Sequence, residues 1–190
     1  MTVQTLREEI GKRRDALSAQ ERSTKSEQIW KRLVSLAEFQ TASQALFYIS
    51  FRSEVETSLM VSLSRELGME VAAPRGLQPE KRMVFYHFAN ENELQSGPYG
   101  ILQPANNPQN IVDLEIPSVI LVPGLVFDLR CNRLGWGSGF YDRFLAAEGR
   151  GLPKLGLAFD CQVVDEVPVQ SHDVPIDVVI TETRVIRPRA

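Results

Sequence analysis

Apolar positions near the start of the chain recur at helical spacing. Leu6, Ile10 and Leu17 fall on one side of a helical wheel, with Arg7 and Arg14, a heptad apart, beside that stripe. The pattern predicts an amphipathic helix. Ser18 and Glu21 have the spacing of a capping box, and Ile29, Leu33, Leu36 and Ala37 carry the helical period on behind them. The run ALFYIS, Ala45 to Ser50, is continuous and apolar, as a strand buried on both faces requires. Ser53 and Glu56 repeat the capping signature ahead of Leu59, Val61, Leu63 and Leu67, and Gly68 marks the stop. Two more strands are predicted from Glu70 and from Met83, whereas residues 90–117 read as loops with a turn at Asn106 to Pro108. Ser118 to Phe127 is the most apolar run and is predicted as the central strand, ended by Pro123 and Gly124. A helix carrying Tyr141, Phe144 and Leu145 follows, then strands at Lys154 to Phe159 and Asp177 to Thr181. Strands alternating with helices in short units predict an α/β fold: a single layered α/β/α domain over residues 1–190, Rossmann-like, with a mostly parallel central sheet. Similar layering occurs in sugar-phosphate isomerases and CoA transferases. Ligands of such sheets sit beyond the carboxyl ends of the strands, so the loop after the strongest strand is the place to look.

Composition narrows the partners. With 190 residues, 43% of them apolar, the chain can bury one substantial core, and a net charge of −3 gives no global reason to expect nucleic acid or an anionic membrane. Arg7, Glu8, Glu9, Lys12, Arg13, Arg14 and Asp15 break up the first thirty residues, so neither a secretory signal nor a membrane span is expected. The expectation is a cytoplasmic monomer acting on small molecules. Cys131 and Cys161 match no metal-ligand spacing and read as reduced thiols. His87 lies in an apolar run as a strand-face histidine. His172 and Asp173 accompany no nucleophile motif, and two histidines do not complete a zinc site.

The stretch RLGWGSGFYDRFL, Arg133 to Leu145, sets glycines at 135, 137 and 139 and then two aromatics and an acid-base pair. A backbone this bare allows amide N–H groups to converge on an anion, and Arg133 and Arg143 flank it with full charges. The spacing is neither GxxxxGK[ST] nor GxGxxG, since Phe140 stands where a third glycine of the latter would lie. Alone, it is equally compatible with a structural turn. Asp142 reads either as a magnesium ligand, because a carboxylate beside bound phosphate calls for a cation between them, or as a first-turn acid favoured by the helix dipole.

The whole segment PGLVFDLRCNRLGWGSGFYDRFL, Pro123 to Leu145, resembles the signature of the 5-formyltetrahydrofolate cyclo-ligases, also called methenyltetrahydrofolate synthetases. LREEIGKRRDAL from Leu6, YISFRSEVET from Tyr48 and DVPIDVVIT from Asp173 resemble that family's opening helix, substrate turn and closing strand, in the same order. The resemblance implies conversion of 5-formyltetrahydrofolate and ATP, with Mg²⁺, into 5,10-methenyltetrahydrofolate, ADP and phosphate through a phosphorylated formyl (imidate) intermediate. Carried over residue by residue, it implies ATP-phosphate contacts from Arg7, Arg133, Leu134, Gly135, Trp136, Gly137, Ser138, Gly139, Phe140 and Tyr141. It implies folate contacts from Ile49, Glu54, Tyr99 and Trp136 to Phe140, magnesium at Asp142 and Asp177, and catalytic roles for Arg133 and Asp142. Three departures stand out: Val3 for a common basic residue, Cys131 for a frequent turn glycine, and Gln103 for a usual glutamate. Val3 keeps a second reading open, a non-catalytic nucleotide- or folate-binding homologue.

Overall fold

The computed structural model describes residues 2–188; Met1, Arg189 and Ala190, at the ends of the expected 1–190 domain, lie outside the described residues. The chain opens with α1 (Val3–Asp15) and α2 (Ala19–Leu33). The capping box predicted for α2 is present: Ser18 Oγ accepts from Glu21 N, and Glu21 Oε2 accepts from Ser18 N. After the short α3 (Ala37–Gln40) come β1 (Gln44–Leu46), α4 (Ser58–Glu66), and the hairpin of β2 (Glu70–Leu77) with β3 (Arg82–His87). A second hairpin, β4 (Leu94–Ser96) with β5 (Leu102–Pro104), occupies part of the segment read as loops. Then follow β6 (Ser118–Val122), β7 (Val126–Asp128), β8 (Arg133–Leu134), α5 (Phe140–Ala146), β9 (Lys154–Leu157), β10 (Val163–Val164), β11 (Val178–Ile180) and β12 (Val185–Ile186).

Seven strands form the main sheet in the order β12-β11-β9-β6-β1-β2-β3. The five inner strands run parallel, and only the two outer strands are antiparallel to their neighbours. The most apolar run takes the central place, as predicted, and all five residues of β6 are buried. Alternate strand residues serve opposite faces. Ala45, Val71, Val119, Leu121, Leu155 and Val178 pack with Ile29 and Leu33 of α2, Phe39 of α3 and Met60 of α4. Leu46, Ala72, Ile120, Val122 and Val179 pack with Phe144 and Leu145 of α5. This is the side-chain period of two expected of a sheet covered on both sides.

A smaller sheet, β10-β7-β8, stands beside the main one. Leu6 and Ile10 of α1 pack there on Leu125, Val126, Leu134 and Val167, so the apolar stripe of the first helix is spent on this ribbon. The polar flank of α1 is thereby presented to the loop that follows β8. The expected helix start at Ser53 is displaced: α4 begins at Ser58 with Thr57 at its cap, because the Ser53 hydroxyl is bound to Arg14 and Asp15 instead.

Candidate active site

β8 delivers the glycine loop to the carboxyl edge of the main sheet. Gly137 and Gly139 have φ of +89° and +69°, a region costly for residues with a Cβ. Absence of a side chain serves a second purpose here. A Cβ on Gly139 would lie 2.9 Å from Arg143 Nη1, and one on Gly137 would lie 3.4 Å from Arg7 Nη2. The space left by the glycines is occupied by guanidinium groups. These arginines also take the loop's carbonyls: Arg7 Nε donates to Gly135 O at 2.9 Å, and Arg143 Nη2 donates to Ser138 O at 2.7 Å. Among the described residues, no backbone amide from Gly135 to Gly139 donates a hydrogen bond. Two loop carbonyls held by guanidinium groups and a run of amides left free supply donors suited to an anion.

Arg133 anchors the loop from beneath. It is buried; its Nη2 donates to Asp142 Oδ1 at 2.8 Å, its guanidinium lies 5.6 Å from the Tyr141 ring centroid, and its Nε has no partner. Leu134 is buried beside it, Trp136 and Ser138 are exposed, and the ring of Phe140 fills the space above Gly76.

The opposite wall comes from the segment after β1. Residues 47–50 continue in line with β1 without pairing as a strand. Thr57 Oγ1 donates to Tyr48 O at 2.8 Å and accepts from Ser50 N at 3.1 Å, while Tyr48 Oη donates to Val55 O at 3.1 Å. These bonds close a turn that aims Glu54 across the edge, with Ile49 half-buried next to it. Glu54 Oε2 accepts from Phe51 N at 3.0 Å. Burial pushes the Glu54 carboxyl above its ordinary range, opposed in part by the Phe51 N–H and the Arg14 guanidinium. The Tyr141 hydroxyl is buried without a partner, and its pKa is raised by burial and then by the nearby charge of Glu54. Glu54 and the glycine-loop helix therefore face one another.

Two expected residues are not brought to this cluster. Tyr99 sits at the tip of the β4–β5 hairpin, 90% exposed, with φ of +61°. Asp177 lies at the amino ends of β9 and β11, where its Oδ2 accepts from Lys154 N at 2.7 Å and stands 3.9 Å from Lys154 Nζ. It ties two parallel strands together at the edge of the sheet opposite the glycine loop. Asp142 stays with the loop, its Oδ1 also 3.4 Å from Val174 N, which places Asp173 one residue along the chain from that contact. Arg14 is the residue that sequence reasoning left out of the site. Its heptad relation to Arg7 was visible, but its burial was not.

Two surface hollows of about 270 and 280 Å³ lie elsewhere, one lined by Glu38, Leu114 and Gly151, the other by His87, Asn92 and Pro104. Neither gathers free donors around an acid, so chemistry rather than volume assigns the site. Among the described residues no group of three His, Cys, Asp or Glu side chains could hold a metal by itself, and no helix is long and apolar enough to cross a membrane.

Fold and site together define a mostly parallel α/β protein whose carboxyl edge sets an arginine-braced glycine loop against a half-buried glutamate. A sequence model of the 5-formyltetrahydrofolate cyclo-ligase family matches residues 2–182, and the chain belongs to that family. It is 30% identical over 176 residues to the 5-formyltetrahydrofolate cyclo-ligase of Haemophilus influenzae, covering 91% of this chain and 94% of that one. It is 28% identical over 179 residues to the enzyme of the same name from Escherichia coli K12, covering 93% and 98%. The structure of Aquifex aeolicus 5,10-methenyltetrahydrofolate synthetase superposes with a TM-score of 0.84 at 31% identity, covering 100% of this chain and 94% of that one.

Proposed function

We propose that the chain closes 5-formyltetrahydrofolate to 5,10-methenyltetrahydrofolate at the expense of ATP, releasing ADP and phosphate. The observation that carries this reading is the run of free amides from Gly135 to Gly139, braced by Arg7 and Arg143 and facing Glu54. A formamide oxygen leaves poorly. Transfer of the γ-phosphoryl group to it gives an imidate phosphate; the folate N10 then attacks the formyl carbon, the ring closes, and the carbon–oxygen bond breaks with loss of phosphate. Phosphoryl transfer asks the protein for position and charge neutralisation more than for covalent chemistry. The free amides bind phosphate oxygens, Arg7 and Arg143 hold the loop in shape, and buried Arg133 supplies a charge whose Nε is still open. Glu54 accepts from N–H groups of the pterin, with Ile49 against its face, and the exposed Trp136 covers the bound folate. In this reading Tyr99 reaches the ligand only if its hairpin folds over.

The residues fit Mg²⁺ carried in with the nucleotide: such an ion uses one or two carboxylates beside phosphate oxygens, and Asp142 keeps Oδ2 free of hydrogen bonds among the described residues. Asp142 would hold it, with Asp173 rather than Asp177 next to hand. When bound, the ion neutralises charge building on the phosphate oxygens. The two unpaired cysteines fit a reducing compartment, and we place the enzyme in the cytoplasm as a single-domain monomer.

The non-catalytic alternative draws on Val3, which packs beside Leu6 and Ile10 and offers no charge. One assay separates the readings. Purified protein mixed with Mg-ATP and 5-formyltetrahydrofolate is expected to develop the near-ultraviolet absorbance of the methenyl product; folded protein that binds both ligands without that signal would establish the alternative.

A further inference from the structure

Arg14 is 2% exposed and, among the described residues, makes no salt bridge. A buried guanidinium with no directly bonded carboxylate is costly unless a further anion completes its partners. Its Nε donates to Ser53 Oγ at 3.0 Å. The Ser53 hydroxyl gives its own proton to Asp15, so its lone pairs are turned toward Arg14 and the guanidinium plane is fixed. Nη1 is buried with no partner. The group lies 5.9 Å from the Trp136 ring centroid on one side and within electrostatic reach of Glu54 on the other. Trp136 belongs to the loop assigned to the nucleotide, and Glu54 to the wall assigned to the pterin.

We propose that Arg14 contacts the phosphoryl group in flight, its free Nη1 donating to an oxygen of the group as it passes from the nucleotide to the formyl oxygen. This rests on the activity proposed above. The competing source of the anion is a carboxylate of the folate tail. An oriented donor engaged only in transfer acts on kcat, whereas a donor to the tail acts on folate affinity.

The test measures methenyl formation and the binding of MgATP and folate for the full chain and its Arg14→Met, Arg14→Lys and Ser53→Ala variants. Loss of one oriented donor to a developing charge typically costs about 10²–10³ in kcat. Arg14→Met should lose about 100-fold in kcat with both dissociation constants within about threefold, and Arg14→Lys should lose less. Ser53→Ala, which frees the guanidinium without removing it, should lower kcat by about tenfold. Guanidinium chloride at a sub-denaturing concentration should restore much of the Arg14→Met rate, and equal sodium chloride should not. Wild-type turnover with unchanged kcat in Arg14→Met would overturn the inference while leaving the proposed activity in place. So would weaker folate binding at unchanged kcat, which would assign Arg14 to the tail. Loss of turnover that guanidinium cannot rescue, together with a lowered melting temperature, would make the residue structural. A wild-type protein that binds both ligands and makes no product would remove the activity and this role together.

Discussion

Two carboxylates fourteen residues apart have been given opposite surroundings. Asp128, at the end of β7, is fully buried and accepts four bonds, from Arg130 N, Asn132 N, Asn132 Nδ2 and Val167 N, at 2.9–3.0 Å. Its turn is closed on itself. Asp142 holds one arginine and one distant amide with a single oxygen; Arg133 Nε and Tyr141 Oη beside it, and Arg14 Nη1 toward Ser53 and Trp136, are buried without partners. A folded chain leaves few such groups unpaired, and three of the five among the described residues belong to this candidate site, the others being Arg22 Nε and Gln44 Oε1. The first region spends its hydrogen bonds on stability. The second leaves donors and acceptors unspent.

The largest expected effect breaks the closed side. Asp128→Ala strands several buried N–H groups and should lower stability by about 4 kcal/mol, read from denaturant melts. Asp142→Asn tests the open side: it keeps an acceptor for Arg133, so the melt should shift little, while kcat falls about 1000-fold, or about 4 kcal/mol of barrier. An intact rate would place the metal elsewhere. Gly139→Ala puts a methyl group at positive φ against Arg143, and about 1–2 kcal/mol of stability with roughly tenfold in kcat/KM for ATP should be lost. The smallest effect concerns pH. Because burial raises the Glu54 pKa above 4.5, the folded state holds this proton more tightly than the unfolded one, so stability contributed here declines as pH climbs from 4.5 through the folded value. Glu54→Gln removes the ionisation. Its melting temperature should match wild type below that window and exceed it above, and a difference that shrinks with rising pH would contradict the assignment.

Periodicity made the main sheet legible, because a strand buried on both faces writes itself as an unbroken apolar run, as Ser118 to Val122 does. Hairpin β4–β5 was not readable, since its half-exposed residues among prolines and asparagines have no alternation. The false capping signal at Ser53 shows a local rule overruled by a partner 39 residues away. For the site, glycine spacing singled out the loop but gave no hint that arginine side chains would fill the space the glycines leave. That Asp177 lies away from the loop was not legible for a related reason: adjacency to a strand does not say which end of the sheet the residue joins, and only the register with β9 decides it. Cys131, standing for a turn glycine, does adopt φ of +63°; its thiol is buried under the turn and pushed up to about 11.

The bond from Arg7 to Gly135 spans 128 positions of sequence. The helix α1 therefore has no seat until the β7–β8 ribbon exists, and the guanidiniums it carries arrive at the glycine loop only when it docks. Detaching that helix, by a cut in the connection near Leu17 or by a bulky fusion that holds it away, would disarm the protein while leaving the central sheet standing.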